Sequence, residues 1–205
     1  PKQLTAVINH YGVTSFCAPP TVYRYLVRKG IPKMPTLKHA TTAGEMLAPE
    51  VFKKFTESTG LELCEGYGQT ETTLLMANFK GKKAVEGSMG TVSPFYNIEI
   101  RNRNGEKAAV GEIGEVVIIP PESGKQVGIF CAYLDNEKQY AHVWRGGVYH
   151  TGDAAYMDED GSYDGFGMSW QEDRRHNVSI SYFSYEDSTS LQAERSIWSF
   201  GYDAG

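Results

Sequence analysis

The sequence has 205 residues, a formal net charge of −5 and 40% hydrophobic residues, which suffices for one large or two small domains with a core. Its mean hydropathy is −0.40, and no apolar run approaches the ~20 residues of a membrane-spanning helix, so we expect no transmembrane segment. Basic residues are scattered over an acidic chain, which argues against a nucleic-acid partner.

The chain has three cysteines, Cys17, Cys64 and Cys131, an odd number that lie far apart in the sequence. We predict reduced, buried thiols without a disulfide framework or zinc knuckle.

The first 65 residues alternate between strand-like and helix-like patterns, which is typical of a parallel sheet with helical crossovers. Thr21 is placed to cap the second helix, and Val22, Tyr25 and Leu26 have the spacing of its buried face. The predicted strands are 13–18, 37–42 and 61–65. The predicted helices are 2–11, a helix from Thr21 to Gly30, and a helix from Pro49 to Gly60.

Three segments follow the predicted strands: Pro19–Thr21, Thr42–Glu45 and Gly66–Glu71. Ligands of parallel sheets collect beyond the carboxyl ends of the strands, so these segments predict a binding site. The glycines around Tyr67 let the backbone turn tightly and approach a flat ligand closely. Thr70 and Glu71 offer a hydroxyl and a carboxylate, which suit a phosphate and Mg²⁺. An ordinary strand-to-helix turn is the alternative interpretation of Gly66–Glu71.

From about Gly87 the pattern changes to short alternating runs separated by turn residues. The fold class we predict is therefore α/β: a partial parallel-sheet layer with flanking helices, followed by a small antiparallel β-barrel subdomain. The predicted runs are 98–101, 115–119, 148–151 and 154–157, with turns at 104–105 and 158–161. The predicted domains are 1–86, the second half of an α/β nucleotide-binding subdomain; 87–163, the β-barrel subdomain; and 164–205, an unassigned tail.

Five segments in this order resemble the acyl- and aryl-CoA synthetases of the adenylate-forming (AMP-binding) superfamily, and look closest to its medium-chain acyl-CoA synthetase branch. The resemblance covers residues 1–163. It implies an acid–thiol ligase that couples a carboxylic acid to ATP, releases diphosphate, and transfers the acyl group from acyl-AMP to CoA. The segments are 13–23, Thr42–Glu45, Gly66–Glu71, Gly87–Gly90 and Tyr149–Asp153.

The resemblance also implies which residues bind the nucleoside. Gly44, Glu45 and Met46 would line the adenine, and Tyr67 would stack on its ring, since aromatic faces hold flat bases well. Asp153 would accept charge-assisted hydrogen bonds from the ribose hydroxyls.

The same resemblance implies contacts to the phosphate and the acid. Gly66, Gly68 and Gln69 would border AMP and the acyl pocket, Thr70 would touch the α-phosphate, and Glu71 would hold Mg²⁺. Thr70 and Glu71 would act by positioning and by stabilising charge at phosphorus, without a nucleophilic side chain.

Simpler roles exist for several of these residues. Asp153 could stabilise a turn after Gly152, and Glu45 could be a helix N-terminal carboxylate favoured by the dipole. His150 is expected to be a partly exposed strand residue, and Trp144 and Tyr149 are expected to pack inside the barrel.

The chain departs from the family at both ends. The family's phosphate loop would precede Pro1, and its Gly-Arg-x-Asp-Asp-x-Ile-Lys hinge and catalytic lysine have no counterpart after Gly161. Codons for 170–176 read one nucleotide later permit Gly-Arg-Lys-Thr-Asp-Val-Ile. We therefore hypothesise a frameshift after about Ser162, with a poorly packed or disordered tail, and expect the 205-residue chain alone to be inactive.

The expected ligands are a small carboxylic acid, ATP or AMP, Mg²⁺ and CoA, and the expected location is the cytoplasm, or the mitochondrial matrix in a eukaryote. Two alternatives stay open. The first is a non-catalytic or degenerate nucleotide-binding module. The second is an adenylating enzyme whose acyl acceptor is not CoA.

Overall fold

A computed structural model of the chain describes residues 2–82, 84–124, 126–169, 178–181 and 197–200. The chain forms two compact units: the first ends at Ser93 and the second begins at Pro94. The predicted frameshifted tail, 164–205, lies mostly outside the described residues.

The first unit is a five-stranded mixed sheet with helices. Its strands lie in the order β1-β2-β3-β4-β5; the first three are parallel, and β4 and β5 are antiparallel to their neighbours. The predicted parallel α/β layer is therefore confirmed. Its helices are α1 (Lys2–His10), α2 (Pro20–Lys29) and α3 (Pro49–Thr59), and its strands are β1 (Ser15–Cys17), β2 (His39–Ala43), β3 (Leu63–Gly68), β4 (Leu74–Ala77) and β5 (Thr91–Val92).

One face of this sheet packs against the helices. Ala40 of β2 and Leu63 of β3 are register partners and are both fully buried. Above them, the ring of Tyr23 from α2 meets that of Phe55 from α3 edge-on, with centroids 5.1 Å apart. Gly60 ends α3 in the left-handed conformation, with its N–H donating to the carbonyl of Thr56, as a helix C-cap glycine does.

The buried face of α2 differs from the predicted one. Tyr23 is fully buried, whereas Tyr25 is 42% exposed, and Pro19 rather than Thr21 is the N-cap. The helix begins at Pro20, before the predicted cap; its buried residues are Pro20, Tyr23 and Leu26, and Val22 is partly buried against the core. The predictions for Tyr25 and for the Thr21 cap were therefore wrong.

The second unit is built on antiparallel strands. Strands β6 to β9 form one sheet in sequence order, and β10 pairs with β11. The antiparallel second part of the predicted fold is thus confirmed, although helix α4 was not predicted. The elements are β6 (Asn97–Arg101), β7 (Gly114–Ile119), α4 (Glu137–Val143), β8 (Tyr149–Met157), β9 (Tyr163–Ser169), β10 (Val178–Ser181) and β11 (Ile197–Phe200).

The three cysteines are free thiols, but they are not all buried: Cys17 and Cys131 are exposed and Cys64 is partly buried. The prediction that the thiols are buried was therefore wrong for Cys17 and Cys131. It rested on the apolar residues next to them in the sequence. Burial, and secondly the charge of Glu62, raise the pKa of the Cys64 thiol. None of the described helices combines the length and apolar composition needed to cross a bilayer.

The hydroxyl of Tyr23 fastens α2 to two parallel strands. It donates to the carbonyls of Phe16 and Thr41, at 3.1 and 3.0 Å, and burial raises its pKa, so the phenol remains a protonated donor.

We expect Tyr23→Phe to lower the free energy of unfolding by about 1 kcal/mol, measured by urea denaturation of the chain. The control Tyr25→Phe should change it by less than ~0.5 kcal/mol because that ring is half exposed. Equal losses in the two variants would contradict this role.

Candidate functional site

The segment Gly66–Glu71 forms a β-hairpin. Gly66, Tyr67 and Gly68 belong to β3 and pair with β4, with a register shift at Tyr67/Gly68. The alternative of a strand-to-helix turn is therefore wrong, because the chain returns as an antiparallel strand. The predicted strand 61–65 ended too early for the same reason.

A short turn after β3 presents the polar residues. The N–H of Gln69 donates to the Thr72 hydroxyl at 2.9 Å, and the N–H of Thr72 donates to the Gln69 carbonyl at 3.1 Å. Thr70, which is exposed, and Glu71, which is partly buried, lie within this turn. Both residues therefore follow the carboxyl end of β3, which is parallel to β2, as the strand pattern of the sequence predicted.

The segment Gly44–Met46 follows the neighbouring strand β2. Gly44 has a φ of +90°, a conformation that side chains disfavour. A hydrogen bond to strand β3 holds this loop: the N–H of Leu47, directly after it, donates to the buried carboxylate of Glu65 at 3.1 Å. Glu65 is the register partner of Thr42, at the end of β2.

Glu45 is held by the segment after β1. Its carboxylate accepts a hydrogen bond of 2.7 Å from the hydroxyl of Thr21. The acidic residue in the first turn of α3 is Glu50 and not Glu45, so the helix-dipole alternative for Glu45 was wrong. The Thr21–Glu45 hydrogen bond therefore joins the segments after β1 and β2, and the Leu47–Glu65 hydrogen bond joins the segment after β2 to strand β3 itself.

The described carboxylate, histidine and cysteine side chains form no group of three that could hold a metal ion by themselves. Glu71 would thus contribute a single carboxylate. Mg²⁺ is commonly held by one or two carboxylates together with substrate phosphates and water. The donor set is therefore compatible with Mg²⁺ bound jointly with a nucleotide, and not with an all-protein magnesium cage.

In the second unit, the segment Thr151–Asp153 lies inside β8. Glu115 of β7 pairs with Ala154, and Val117 pairs with His150, so three residues of β8 oppose the single residue between them. Such a bulge re-aims the side chains it carries. The alternative that Asp153 stabilises a turn was wrong, because the strand continues to Met157.

Side-chain hydrogen bonds fix this bulge. The hydroxyl of Thr151 donates to the Val116 carbonyl at 2.8 Å and accepts from the N–H of Asp153 at 3.1 Å. The N–H of Gly152, whose φ is +74°, donates to the Glu115 carboxylate at 3.1 Å. The bulge thus has side-chain partners where the regular ladder is interrupted.

Glu115 is a functional candidate that sequence reasoning missed. Its carboxylate also lies 2.8 Å from Nδ1 of His150 and accepts from the Arg145 guanidinium at 3.3 Å. A glutamate leading the apolar run 116–118 was the one sequence signal that could have pointed to it. His150 is a partly exposed residue of strand β8, as expected.

Aromatic packing accounts for Trp144 and Tyr149. Their ring centroids are 5.3 Å apart, and Tyr149 is fully buried. Phe130 contacts Tyr149 and Tyr140 at 6.3 and 5.5 Å. The prediction that Trp144 and Tyr149 have a packing role is consistent with these contacts.

The two glycines around Tyr67 should differ in their tolerance of a side chain. A Cβ at Gly68 would lie 2.5 Å from the backbone oxygen of Thr73, whereas one at Gly66 would lie 2.7 Å from Cδ1 of Leu74, the end of a flexible side chain. We expect Gly68→Ala to lower the urea-unfolding free energy by ~1–3 kcal/mol and Gly66→Ala to lower it by clearly less. A larger loss at Gly66 would show that backbone crowding does not determine this hairpin.

A family model described as AMP-binding enzyme matches residues 1–126. The chain is 43% identical over 164 residues to acyl-coenzyme A synthetase ACSM3, mitochondrial, of Rattus norvegicus; this match covers 78% of the chain and 28% of that relative. An acyl-CoA synthetase of Brucella canis has a similar structure, with 30% identity and a TM-score of 0.71, over 80% of this chain and 31% of that one. The anthranilate CoA ligase AuaEII, in complex with anthranoyl-AMP, shares the fold at 23% identity, with a TM-score of 0.72 and coverage of 80% and 31%.

The chain therefore spans less than a third of the length of each of these proteins. The resemblance drawn from the motifs and the predicted fold class are both confirmed. The chain belongs to the AMP-binding enzyme family.

Proposed function

We propose that the chain is part of an ATP-dependent acyl-CoA synthetase. The whole protein would join a carboxylic acid to AMP, release diphosphate, and transfer the acyl group to CoA. The identity of 43% with a relative named as an acyl-coenzyme A synthetase is the observation that carries the proposal. By its motif resemblance, the acid would be a medium-chain or short branched one. Because the chain spans 28% of that relative, the activity is assigned to a longer protein.

Two segments of the first unit would bind adenine. Tyr67 would stack on the ring, and the Gly44–Met46 loop would line it. The hydrogen bond from Leu47 to Glu65 supports this role, because it holds the loop beyond the carboxyl end of β2. In the second unit, Asp153 would bind the ribose hydroxyls, and its place in a bulge anchored by Thr151 and Glu115 supports a fixed carboxylate.

Thr70 and Glu71 would act on the phosphate. The hairpin turn closed by Gln69 and Thr72 would present the Thr70 hydroxyl to the α-phosphate and the Glu71 carboxylate to Mg²⁺. Mg²⁺ would supply positive charge against the negative charge that develops at phosphorus. The protein side chains would position the reactants and need not form a covalent bond.

The remaining assignments follow the same proposal. Residues 1–86 would be the second half of the α/β nucleotide-binding subdomain, residues 87–163 the β subdomain, and 164–205 stay unassigned. The rat relative is named as mitochondrial, which supports the mitochondrial matrix for a eukaryotic source.

The test of the proposed reaction is acid-dependent ATP–diphosphate exchange by the full-length protein against a panel of carboxylic acids, followed by thioester formation with CoA. We expect both activities with at least one acid. Exchange without thioester formation would replace CoA by another acyl acceptor. No exchange with any acid, in a protein that still binds AMP, would favour the non-catalytic module.

The nucleoside contacts can be tested by binding. We expect Tyr67→Ala and Asp153→Ala each to weaken AMP binding by the full-length protein about tenfold or more, measured by calorimetry, because base stacking and a charge-assisted hydrogen bond are each worth ~1–3 kcal/mol. Tyr11→Ala and Asp160→Ala, which remove an exposed ring and an exposed carboxylate, serve as controls and should leave the affinity unchanged. AMP affinity unchanged in the Tyr67→Ala, Asp153→Ala double variant would overturn the nucleotide-site assignment.

The Mg²⁺ contact has a separate readout. We expect Glu71→Gln to raise the Mg²⁺ concentration that gives half-maximal exchange activity, by about fivefold or more, because the amide removes the negative charge that a hard cation prefers. The exposed Glu57 of α3 provides the matched control, Glu57→Gln. If Glu71→Gln lowers activity equally at all Mg²⁺ concentrations, Glu71 is not a metal ligand.

A further inference from the structure

Glu115 is a carboxylate buried in the sheet of the second unit. The residue is 8% exposed, and burying a carboxylate is costly unless hydrogen bonds compensate it. One oxygen accepts the N–H of Gly152 at 3.1 Å, and the other lies 2.8 Å from Nδ1 of His150 and 3.3 Å from the Arg145 guanidinium. The carboxylate is therefore oriented by partners at both of its oxygens.

These partners lie around the bulge of β8. The N–H of Gly152 points out of the regular ladder, because Thr151–Asp153 face a single residue of β7. An N–H outside the ladder needs another acceptor, and the Glu115 carboxylate accepts that of Gly152, the residue before Asp153. The Thr151 hydroxyl accepts the N–H of Asp153 itself at 3.1 Å. Together these two side chains hold the peptide groups on both sides of residue 152.

We propose that Glu115 is a positioning residue for nucleotide binding. It fixes the backbone of the Thr151–Asp153 bulge and so sets the direction of the Asp153 carboxylate, without touching the nucleotide. Arg145 and His150 in turn hold Glu115 in place. This inference rests on the proposed function, which gives Asp153 the ribose hydroxyls.

A role limited to stability would give a different result from a positioning role. A stabilising carboxylate affects folding whether or not Asp153 is present. A positioning carboxylate acts through Asp153, so removing it has little further effect on nucleotide affinity once Asp153 has been removed. The coupling between the two substitutions, measured in a double-mutant cycle, therefore separates the two roles.

The experiment measures AMP affinity by calorimetry in the full-length protein and in the variants Glu115→Ala, Asp153→Ala and their combination. We expect Glu115→Ala to weaken binding at least fivefold in the parent protein and less than twofold in the Asp153→Ala background. Glu99→Ala is the matched control, because Glu99 lies on the neighbouring strand β6 and pairs with Arg101. It should leave affinity within twofold of the parent.

A conservative substitution gives a second, independent readout. Glu115→Gln retains an oxygen that can accept the Gly152 N–H, so we expect its AMP affinity to stay within threefold of the parent. If Glu115→Ala does not fold, Glu115→Asp replaces it in the cycle and should couple to Asp153→Ala, because its side chain is one methylene too short to keep the Gly152 hydrogen bond.

Two results would overturn the inference. If Asp153→Ala weakens binding but Glu115→Ala has no effect, or has the same effect in both backgrounds, the inference fails while the nucleotide site stands. If Asp153→Ala itself leaves AMP affinity unchanged, the proposed ribose contact fails and the positioning role fails with it.

Discussion

The need to satisfy buried carboxylates shapes both motif regions of this chain. Glu65 in the first unit and Glu115 in the second are each 8% exposed, in strands whose other inward residues are apolar. Each accepts a hydrogen bond from a backbone N–H in or next to a motif segment: that of Leu47, which follows Gly44–Met46, and that of Gly152, within Thr151–Asp153. A buried carboxylate without such donors would be strongly destabilising. Each of these hydrogen bonds therefore offsets part of the cost of burying the carboxylate and links the strand to the segment that donates.

Glycine and carboxylate have complementary tasks in this arrangement. Gly44 and Gly152 have φ values of +90° and +74°, which other residues adopt only with strain. The backbone freedom of glycine makes a positive φ accessible. It does not favour that φ over others, and glycine loses more conformational entropy on folding than any other residue. The hydrogen bond to the carboxylate favours the observed conformation, directly at Gly152, whose own N–H donates, and at Gly44 only through Leu47. A backbone segment can in this way be both sharply turned and held in place.

The local sequence patterns predicted what depends on local residues. The alternation of strands and helices up to residue 65 gave the parallel layer, and Gly60 marked the end of α3, because helix caps and apolar periodicity are local properties. The Thr21–Glu45 and Leu47–Glu65 contacts also agree with the expectation that the carboxyl ends of the strands converge.

The predictions that failed depend on strand pairing and helix packing, which the pattern of a single segment does not show. Two glycines around Tyr67 indicate a turn by themselves, and only the pairing with Leu74–Ala77 makes them part of a strand. The bulge in β8 is likewise invisible in Thr151-Gly152-Asp153, since it is defined by the single residue that opposes it on β7. The Tyr25 error arises because the apolar residues 22, 23, 25, 26 and 27 fit more than one helix face, and the packing of Tyr23 against Phe55 decides between them.

The same distinction explains why the motif residues were easier to find than the residue that holds one of them. Asp153 belongs to a short string of adjacent letters, whereas Glu115 is separated from Gly152 by 37 positions and lies in a strand that looks like ordinary core. A charged strand residue whose side chain is buried next to a bulge has a desolvation free energy that its partners must offset. In this chain, the acid that precedes the apolar run 116–118 is therefore the sequence feature that points to a supporting residue.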